Sequence, residues 1–569
     1  MRTVILLLLL FLFLLAPGAA FAESVWCVGE ATKIKPGDAV SARNLTWDGA
    51  TRTVKIGSAR NEYVSFQIAV HADQEELKEV TVVASGLTGP GAGIPISSIE
   101  LYLEHYLEVT ITSRGDGTHV LKGATAGEQP TQMVPFASAK YGAPFAVGPG
   151  RNQPVWVDIY VPEDAAPGAY AGTFQVKSGA RELGLVKVAL TVWNFTLPQE
   201  THFHSYLYTG PEQIRWGYQT GNDAGSDACK AIMDKHFRMA HQHRLNFNPC
   251  GGSGLEEVSD TYSKFYTGTG FTERVGRGVG QNVACISPQG DGEKEFKASC
   301  TTIVDWWDRS KLNAVLFGYI WDEPHSDEDF VASKRKCNWV RESVGKKLST
   351  YIATPQWQRY AAGEVNIYSE PEAADIPKIL ARGDTVWAVN AGYGAGPYVD
   401  APGYGGCSIV WMNWKMKTGG WQFWDCCYWV DTQNRKHRVK GRWQKDMTFA
   451  EINANPRKYL TDLWHDPLNF DESRKQGYPL GDSIRINGDG LLYYPGHDLG
   501  IDGPIASYAL KSLRRGAQDY EYLWLLQQAG KGTESDAIVA TVCPADGVWS
   551  EDAEAWEQAR LRLAKLLDH

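Results

Sequence analysis

Beyond residue 15 the sequence has no run of about 18 uninterrupted apolar residues, so no later segment offers a bilayer span. Basic charge is in deficit as well. The 56 Lys and Arg stand against 66 Asp and Glu, a formal charge of −10, which argues against a nucleic-acid partner. No CxxC pair occurs among the ten cysteines, so a structural zinc site is not expected. His236, His241 and His243 do not replace it. Spacings of five and two put them on different faces of a helix, whereas zinc ligands on one helix are four apart. Gly276-Arg277-Gly278-Val279-Gly280 lacks the Lys-Ser/Thr of a phosphate loop. No internal repeat is present, and neither metal nor organic cofactor is expected.

What is abundant is aromatic: 21 Trp, 26 Tyr and 19 Phe. Large cores account for most of these, and carbohydrate clefts are the other common use, because a ring face offers an apolar platform to pyranose C–H groups. Met1-Arg2, the apolar run Val4 to Leu15, and Ala20-Phe21-Ala22 read as a secretory leader cut after Ala22. The mature chain is therefore expected to be secreted or periplasmic, without membrane insertion. Several of its cysteines could pair in that compartment, though adjacent Cys426 and Cys427 cannot easily pair with each other.

Residues 23–200 show short β-branched and aromatic runs at period two, such as Val64 to Val70, Val155 to Val161 and Val186 to Val192. Turn signals such as Pro162 and Pro167-Gly168 separate them, which predicts an antiparallel β-sandwich. From residue 201 to 569 the rhythm changes to helical stretches alternating with apolar runs, the pattern of a (β/α)8 barrel closed by C-terminal helices. Candidate strands are His204–Tyr208, Leu245–Asn248, Ala314–Trp321, Glu364–Tyr368, Thr385–Asn390 and Ser408–Trp411. Gly-rich, polar Ser253 to Lys294 is expected to be a loop over the barrel mouth.

The sharpest chemical signal is Val315-Leu316-Phe317-Gly318-Tyr319-Ile320-Trp321-Asp322-Glu323-Pro324, an apolar strand that runs into two carboxylates and is stopped by proline. Catalytic groups of such barrels sit at the C-terminal strand ends. The plain alternative is an acidic helix start. Two-carboxylate retaining glycosidases place their acids about 5 Å apart on opposite sides of the bond, which adjacent residues fit poorly. They suit a substrate-assisted reaction, in which the substrate's 2-acetamido oxygen attacks its own anomeric carbon while one carboxylate orients the acetamide and the other protonates the leaving oxygen. Neighbouring charge and the rings of Tyr319 and Trp321 are expected to raise the acid's pKa.

Asp322-Glu323-Pro324, Gly488-Asp489-Gly490-Leu491-Leu492-Tyr493-Tyr494-Pro495-Gly496 and Leu513 to Leu523 together resemble the catalytic domain of glycoside hydrolase family 123 and its uncharacterised relatives. Asn61 to Gln67 and Val155 to Tyr170 resemble the sandwich that precedes that barrel. The resemblance spans nearly the whole mature chain. It implies an exo-acting β-N-acetylgalactosaminidase, with Asp322 orienting the acetamide and Glu323 as general acid/base. One stretch departs from the family's Ser-x-Arg-x-Glu-x-x-Arg-Asp-Gly: here Ser507 is followed by Ala509, Lys511, Arg514, Arg515 and Gly516, an altered charge network that could reflect another substrate.

For sugar contacts the strand readings offer Tyr368 and Asn390 for hydroxyls and Trp411 or Trp414 for the platform, each weighed against ordinary packing. Two other readings stay open. Glu370 or Asp489 could serve as a nucleophile opposite Glu323 in a two-carboxylate enzyme on a neutral sugar, although Asp489 between two glycines reads first as a turn residue. Alternatively the barrel could bind carbohydrate without turning it over. The expected partner in every case is a glycan or glycoconjugate.

Overall fold

The computed structural model describes residues 23–114, 121–221, 223–249, 254–430, 436–439, 442–445, 448–466, 470–471 and 485–568. The leader read at 1–22 lies outside the described residues. Among the described residues no helix is long and apolar enough to cross a membrane. The nine described cysteines are buried, and no disulfide joins any two of them; Cys426 and Cys427 approach to 4.0 Å between sulfurs.

Alternation builds the N-terminal domain. In the strand Arg181–Thr196, Val186, Val188, Leu190 and Val192 are buried while Lys187, Ala189 and Thr191 face water, the half-buried pattern of a sandwich sheet. One sheet orders its five strands as Glu23–Gly29, Glu62–Ala72, Arg151–Val161, Ile99–Val109 and Gly127–Pro135. The other has six, ordered Trp47–Asp48, Thr53–Arg60, Arg181–Thr196, Gly168–Ser178, Leu77–Ala84 and Phe145–Val147. Neighbours run antiparallel except Thr53–Arg60 beside Arg181–Thr196, which are parallel. Phe66, Ile68, Val157, Ile159, Phe174 and Val188 fill the space between the sheets. Strand Glu62–Ala72 is buried on both faces, because its second face, with Gln67, meets the C-terminal domain.

That domain is an eight-stranded parallel barrel: β1 (Ser205–Tyr208), β2 (Phe247–Asn248), β3 (Val283–Cys285), β4 (Val315–Asp322), β5 (Ser349–Ala353), β6 (Ile367–Ser369), β7 (Thr385–Val389) and β8 (Gly420–Phe423). The ladder runs β2-β1-β8-β7-β6-β5-β4-β3, leaving a seam between β2 and β3. Side chains close it. Gln281 Oε1 accepts from the Phe247 N–H at 2.8 Å, and Asn246 Nδ2 donates to Asn282 Oδ1 at 2.6 Å. Inside the barrel pack Tyr206, Val283, Cys285, Phe317, Tyr351, Ile367 and Trp387, so the centre is filled, not open.

Helices α1 (Asp227–Gln242), α2 (Glu293–Ser310), α3 (Asp327–Val344) and α4 (Gly405–Met416) belong to the outer layer. The sequence expectation of a strand at Ser408–Trp411 is corrected: these residues lie inside α4, whose residues from Gly405 to Asn413 are all buried. A short apolar run buried all round carries no periodicity to separate helix from strand. The expected mouth loop at Ser253 to Lys294 is also corrected. It holds short helical turns at Leu255–Glu257 and Ser263–Tyr266, the strand β3 and the start of α2. Its residues Tyr266, Thr267 and Gly278 to Asn282 line a groove of about 830 Å³ at the N-terminal end of the barrel, opposite the mouth. Gly276 there has φ +70°, and a Cβ would lie 2.2 Å from His241 Nε2.

The C-terminal helices α5 (Tyr508–Gln528), α6 (Gly532–Val542) and α7 (Ala553–Leu567) complete the chain. Helix α5 bears the residues that depart from the family pattern, and they lie in the seam between the two domains. Arg514 donates to both Asp158 oxygens, at 2.9 and 2.5 Å, and Lys511 Nζ donates to Oδ2 at 2.7 Å. Arg515 pairs with Glu30, Asp519 and Glu557.

Candidate active site

The mouth is the end of the barrel where the parallel strands finish, and β4 brings its two carboxylates there by an irregularity. Along β4 the side chains alternate, so Phe317 and Tyr319 pack into the barrel interior. Tyr319 is paired with Tyr351, but the next pairings are Trp321 with Ile352 and Asp322 with Ala353. One extra residue, Ile320, has been inserted. Such a bulge shifts all later side chains to the other face. Trp321 therefore turns outward under Lys336 of α3, and Asp322 turns inward above Tyr319. The Tyr319 hydroxyl donates to Asp322 Oδ1 at 2.8 Å. Burial holds that phenol well above its ordinary pKa, so it remains a donor.

Glu323 follows with φ +43°, and its N–H donates to Ala353 O at 3.1 Å, which ends the β4–β5 ladder. Its side chain is 57% exposed, with His325 Nε2 3.7 Å away on the rim. The expected aromatic enclosure of the acid is thus not formed: Trp321 faces the helices. Glu370 at the end of β6 and Asn390 at the end of β7 also have positive φ, +68° and +50°. Asn adopts this region readily, whereas Glu323 and Glu370 are uncommon there.

Glu370 is partly buried. Burial, followed by the charges of Glu323 and Asp322, pushes its carboxyl up to about 7, which puts it within electrostatic reach of both. Tyr393 stands beside it, its hydroxyl donating to Pro371 O at 2.7 Å. Asn390 Oδ1 accepts the Trp424 N–H at 3.0 Å, fixing the residue that follows β8. Trp424 is half-buried, with its ring 4.9 Å from that of Tyr428. Next to it Asp425 is buried, and burial with nearby Asp489 raises it to about 7. Asp489, also raised to about 7 by burial, sits between Gly488 and Gly490, both at positive φ and packed against Val399 and Tyr428.

Of the proposed sugar contacts, only Asn390 reaches the mouth. Tyr368 is corrected: inward Ile367 and Ser369 flank it, so it points outward, fully buried against Tyr360. Trp411 is corrected because it belongs to α4, where its indole N–H donates to Asp519 at 3.0 Å. Trp414, on the same helix, is corrected too. It lines grooves at the opposite end of the barrel and donates to Asp536 at 3.1 Å. Trp424, the residue that follows β8, is a tryptophan at the mouth end that sequence reading missed because β8 itself was missed; the apolar Gly420-Trp421-Gln422-Phe423 before it was the available signal.

The histidines are packing residues. His236, His241 and His243 each bond a backbone carbonyl, of Ile232, Gly276 and Met239, and burial lowers the first two to about 4. Among the described residues no three His, Cys, Asp or Glu side chains are grouped to hold a metal ion.

Residues 46–178 match the family model described as glycoside hydrolase 123 N-terminal domain. Over the whole chain, a family 123 glycoside hydrolase from Clostridium perfringens, solved in a study of glycolipid glycan hydrolysis, superposes with a TM-score of 0.65. The alignment covers 96% of this chain and 98% of that one, at 12% identity. The fold is that of a family 123 glycoside hydrolase. The likeness in fold thus extends through the sandwich and the nearly closed barrel, and in this chain Asp322-Glu323-Pro324 stands at the end of β4. A Bacteroides ovatus GH5 xyloglucanase aligns at 10% identity over 70% of this chain and 97% of its own, with a TM-score of 0.23. That is too distant to bear on the site. No curated protein matches the sequence.

Proposed function

We propose that this chain is an exo-glycosidase that removes a terminal β-linked 2-acetamido sugar, N-acetylgalactosamine or a close relative, by a retaining substrate-assisted reaction. The observation that carries the reading is the bulge in β4, which turns Asp322 into the mouth beside exposed Glu323. With Oδ1 engaged by Tyr319, Asp322 keeps Oδ2 to accept the acetamide N–H. The acetamide oxygen then attacks the anomeric carbon as the glycosidic bond breaks, and Glu323 gives its proton to the leaving oxygen. Water next attacks the same carbon, Glu323 takes its proton, and the oxazolinium ring opens to the retained sugar. The neighbour studied for glycolipid glycan hydrolysis supports a glycoconjugate as the substrate.

The second reading makes Glu370 a nucleophile on a neutral sugar, and its place near the pair favours that. Its surroundings work against it, because burial beside two other acids disfavours the ionised carboxylate that a nucleophile must be. The reading of a binding protein without turnover rested on the altered charges near Arg515, which occupy the domain seam.

The test is hydrolysis of aryl β-N-acetylgalactosaminide, β-N-acetylglucosaminide and β-galactoside by wild type, Asp322→Asn and Glu323→Gln. Cleavage confined to the acetamido sugars and reduced at least about 100-fold in both variants is expected, since general acid–base groups contribute that much. Cleavage of the plain galactoside at a comparable rate would overturn the mechanism.

A further inference from the structure

Several carboxyls outside the catalytic pair are buried among the described residues and most have partners, although Glu104 in the sandwich is fully buried with neither oxygen bonded. Asp158 has Arg514 and Lys511, Glu62 has Arg560 and Tyr522, and Glu30 has Arg515. Glu370 differs. It is partly buried at the end of β6, its carboxyl has no hydrogen bond or ion pair among the described residues, and its charged neighbours are the two acids Asp322 and Glu323. A partly buried acid beside other acids is costly to keep unless something else satisfies it. The groups facing it show what that is. From β4 come Asp322, Glu323 and Tyr319, from β5 Tyr351, and after β7 Tyr393. Tyr319 is committed to Asp322, Tyr351 to Gln422 and Tyr393 to Pro371. Each of these phenols has a partner elsewhere, and Glu370 stands at the strand end that opens on the mouth, next to the catalytic pair.

We propose that Glu370 is a substrate-contacting residue that hydrogen-bonds a ring hydroxyl of the terminal sugar and selects which sugar the mouth accepts. The inference rests on the glycosidase reading and deepens it by assigning a specificity role to a residue outside the Asp322–Glu323 pair. A carboxyl suits a hydroxyl, because its oxygens accept the sugar O–H whether it is charged or neutral.

The experiment compares wild type, Glu370→Gln and Glu370→Ala. It measures kcat and KM on aryl β-N-acetylgalactosaminide, and binding of the non-hydrolysed S-aryl thioglycoside, each with the parent sugar and its 3-, 4- and 6-deoxy analogues. Glu370→Ala is expected to weaken binding of the parent about tenfold or more, with Glu370→Gln retaining most of it. One deoxy analogue should lose the same factor on wild type and nothing further on Glu370→Ala. If every deoxy analogue is penalised equally on wild type and Glu370→Ala, the proposal fails while the glycosidase reading stands. A collapse of kcat in Glu370→Gln with KM and thioglycoside binding unchanged also overturns it, by making Glu370 the nucleophile. If wild type neither binds nor cleaves any acetamido sugar, the underlying reading falls first and this assignment with it. Should Glu370→Ala not fold, Glu370→Leu, which keeps the bulk but cannot hydrogen-bond, takes its place in the deoxy series with the same expected outcomes.

Discussion

At the scale of single residues, the site is an arrangement of carboxylates told apart by their partners. Asp322 is held by a phenol, Glu323 stands in solvent, and Glu370 is partly buried without a hydrogen bond or ion pair among the described residues. Tyr319 is therefore a positioning residue, and removing its hydroxyl isolates that role. Tyr319→Phe keeps the ring on Tyr351, whose centroid is 4.7 Å away, but frees Asp322 to rotate. A hydrogen bond to a charged group contributes about 1.5 to 3 kcal/mol, so kcat/KM on acetamido sugars should fall about tenfold or more with little change in thermal stability. Unchanged kinetics would mean that Asp322 is oriented by the substrate alone. Asp322 and Glu323 were legible in the sequence because an apolar strand running into acids and a proline is a local pattern. Trp424 was not, because choosing among Trp411, Trp414, Trp421 and Trp424 depends on which segment is the last barrel strand.

At the scale of elements, strand ends do the placing. Glu323, Glu370 and Asn390 leave β4, β6 and β7 through the left-handed region, breaking each ladder at the mouth. Asn390 also ties β7 to the segment after β8 through Trp424. Asn390→Gly separates these two functions. Glycine accepts φ +50° without the cost of roughly 1 kcal/mol that a side chain meets there, which offsets a lost hydrogen bond of about the same size. Stability should thus change by less than about 1 kcal/mol, while KM rises because the backbone of Trp424 is no longer held. A loss of stability without a kinetic effect would make Asn390 purely structural. The same scale shows where sequence reading failed. Strands β3 and β8 have only three or four residues, too few to show a period. Helix α4 is apolar on every side. The bulge at Ile320 depends on pairing with β5 and leaves no local mark.

At the scale of the whole molecule, the sandwich was legible because its strands are half-exposed and alternate, whereas the seam joining it to the barrel needs residues more than 350 positions apart, as in Asp158 with Arg514. Helix α5 fills that seam with charge. Asp158 accepts from Trp156, Ser65, Lys511 and Arg514. Burial opposes ionisation of Asp158, but Arg514 and Lys511 overcome it and hold the carboxyl well below its ordinary 3.8. Arg514 is the stronger partner, since burial leaves Lys511 below its own ordinary value. A carboxyl depressed in the folded state contributes stability that is present in full above its unfolded pKa and is lost as pH falls through the folded value. Asp158→Asn leaves two buried cations without their counter-charge, and breaking such a pair costs about 3 to 5 kcal/mol. In urea at pH 7 the variant should unfold at a clearly lower midpoint, or in two steps if the sandwich separates from the barrel first. The gap to wild type should persist down to about pH 4 and close at lower pH, as wild-type Asp158 takes up its proton. A gap that does not narrow in acid would show that Asp158 acts through its neutral contacts to Trp156 and Ser65, and that the charges of α5 do not hold the two domains together.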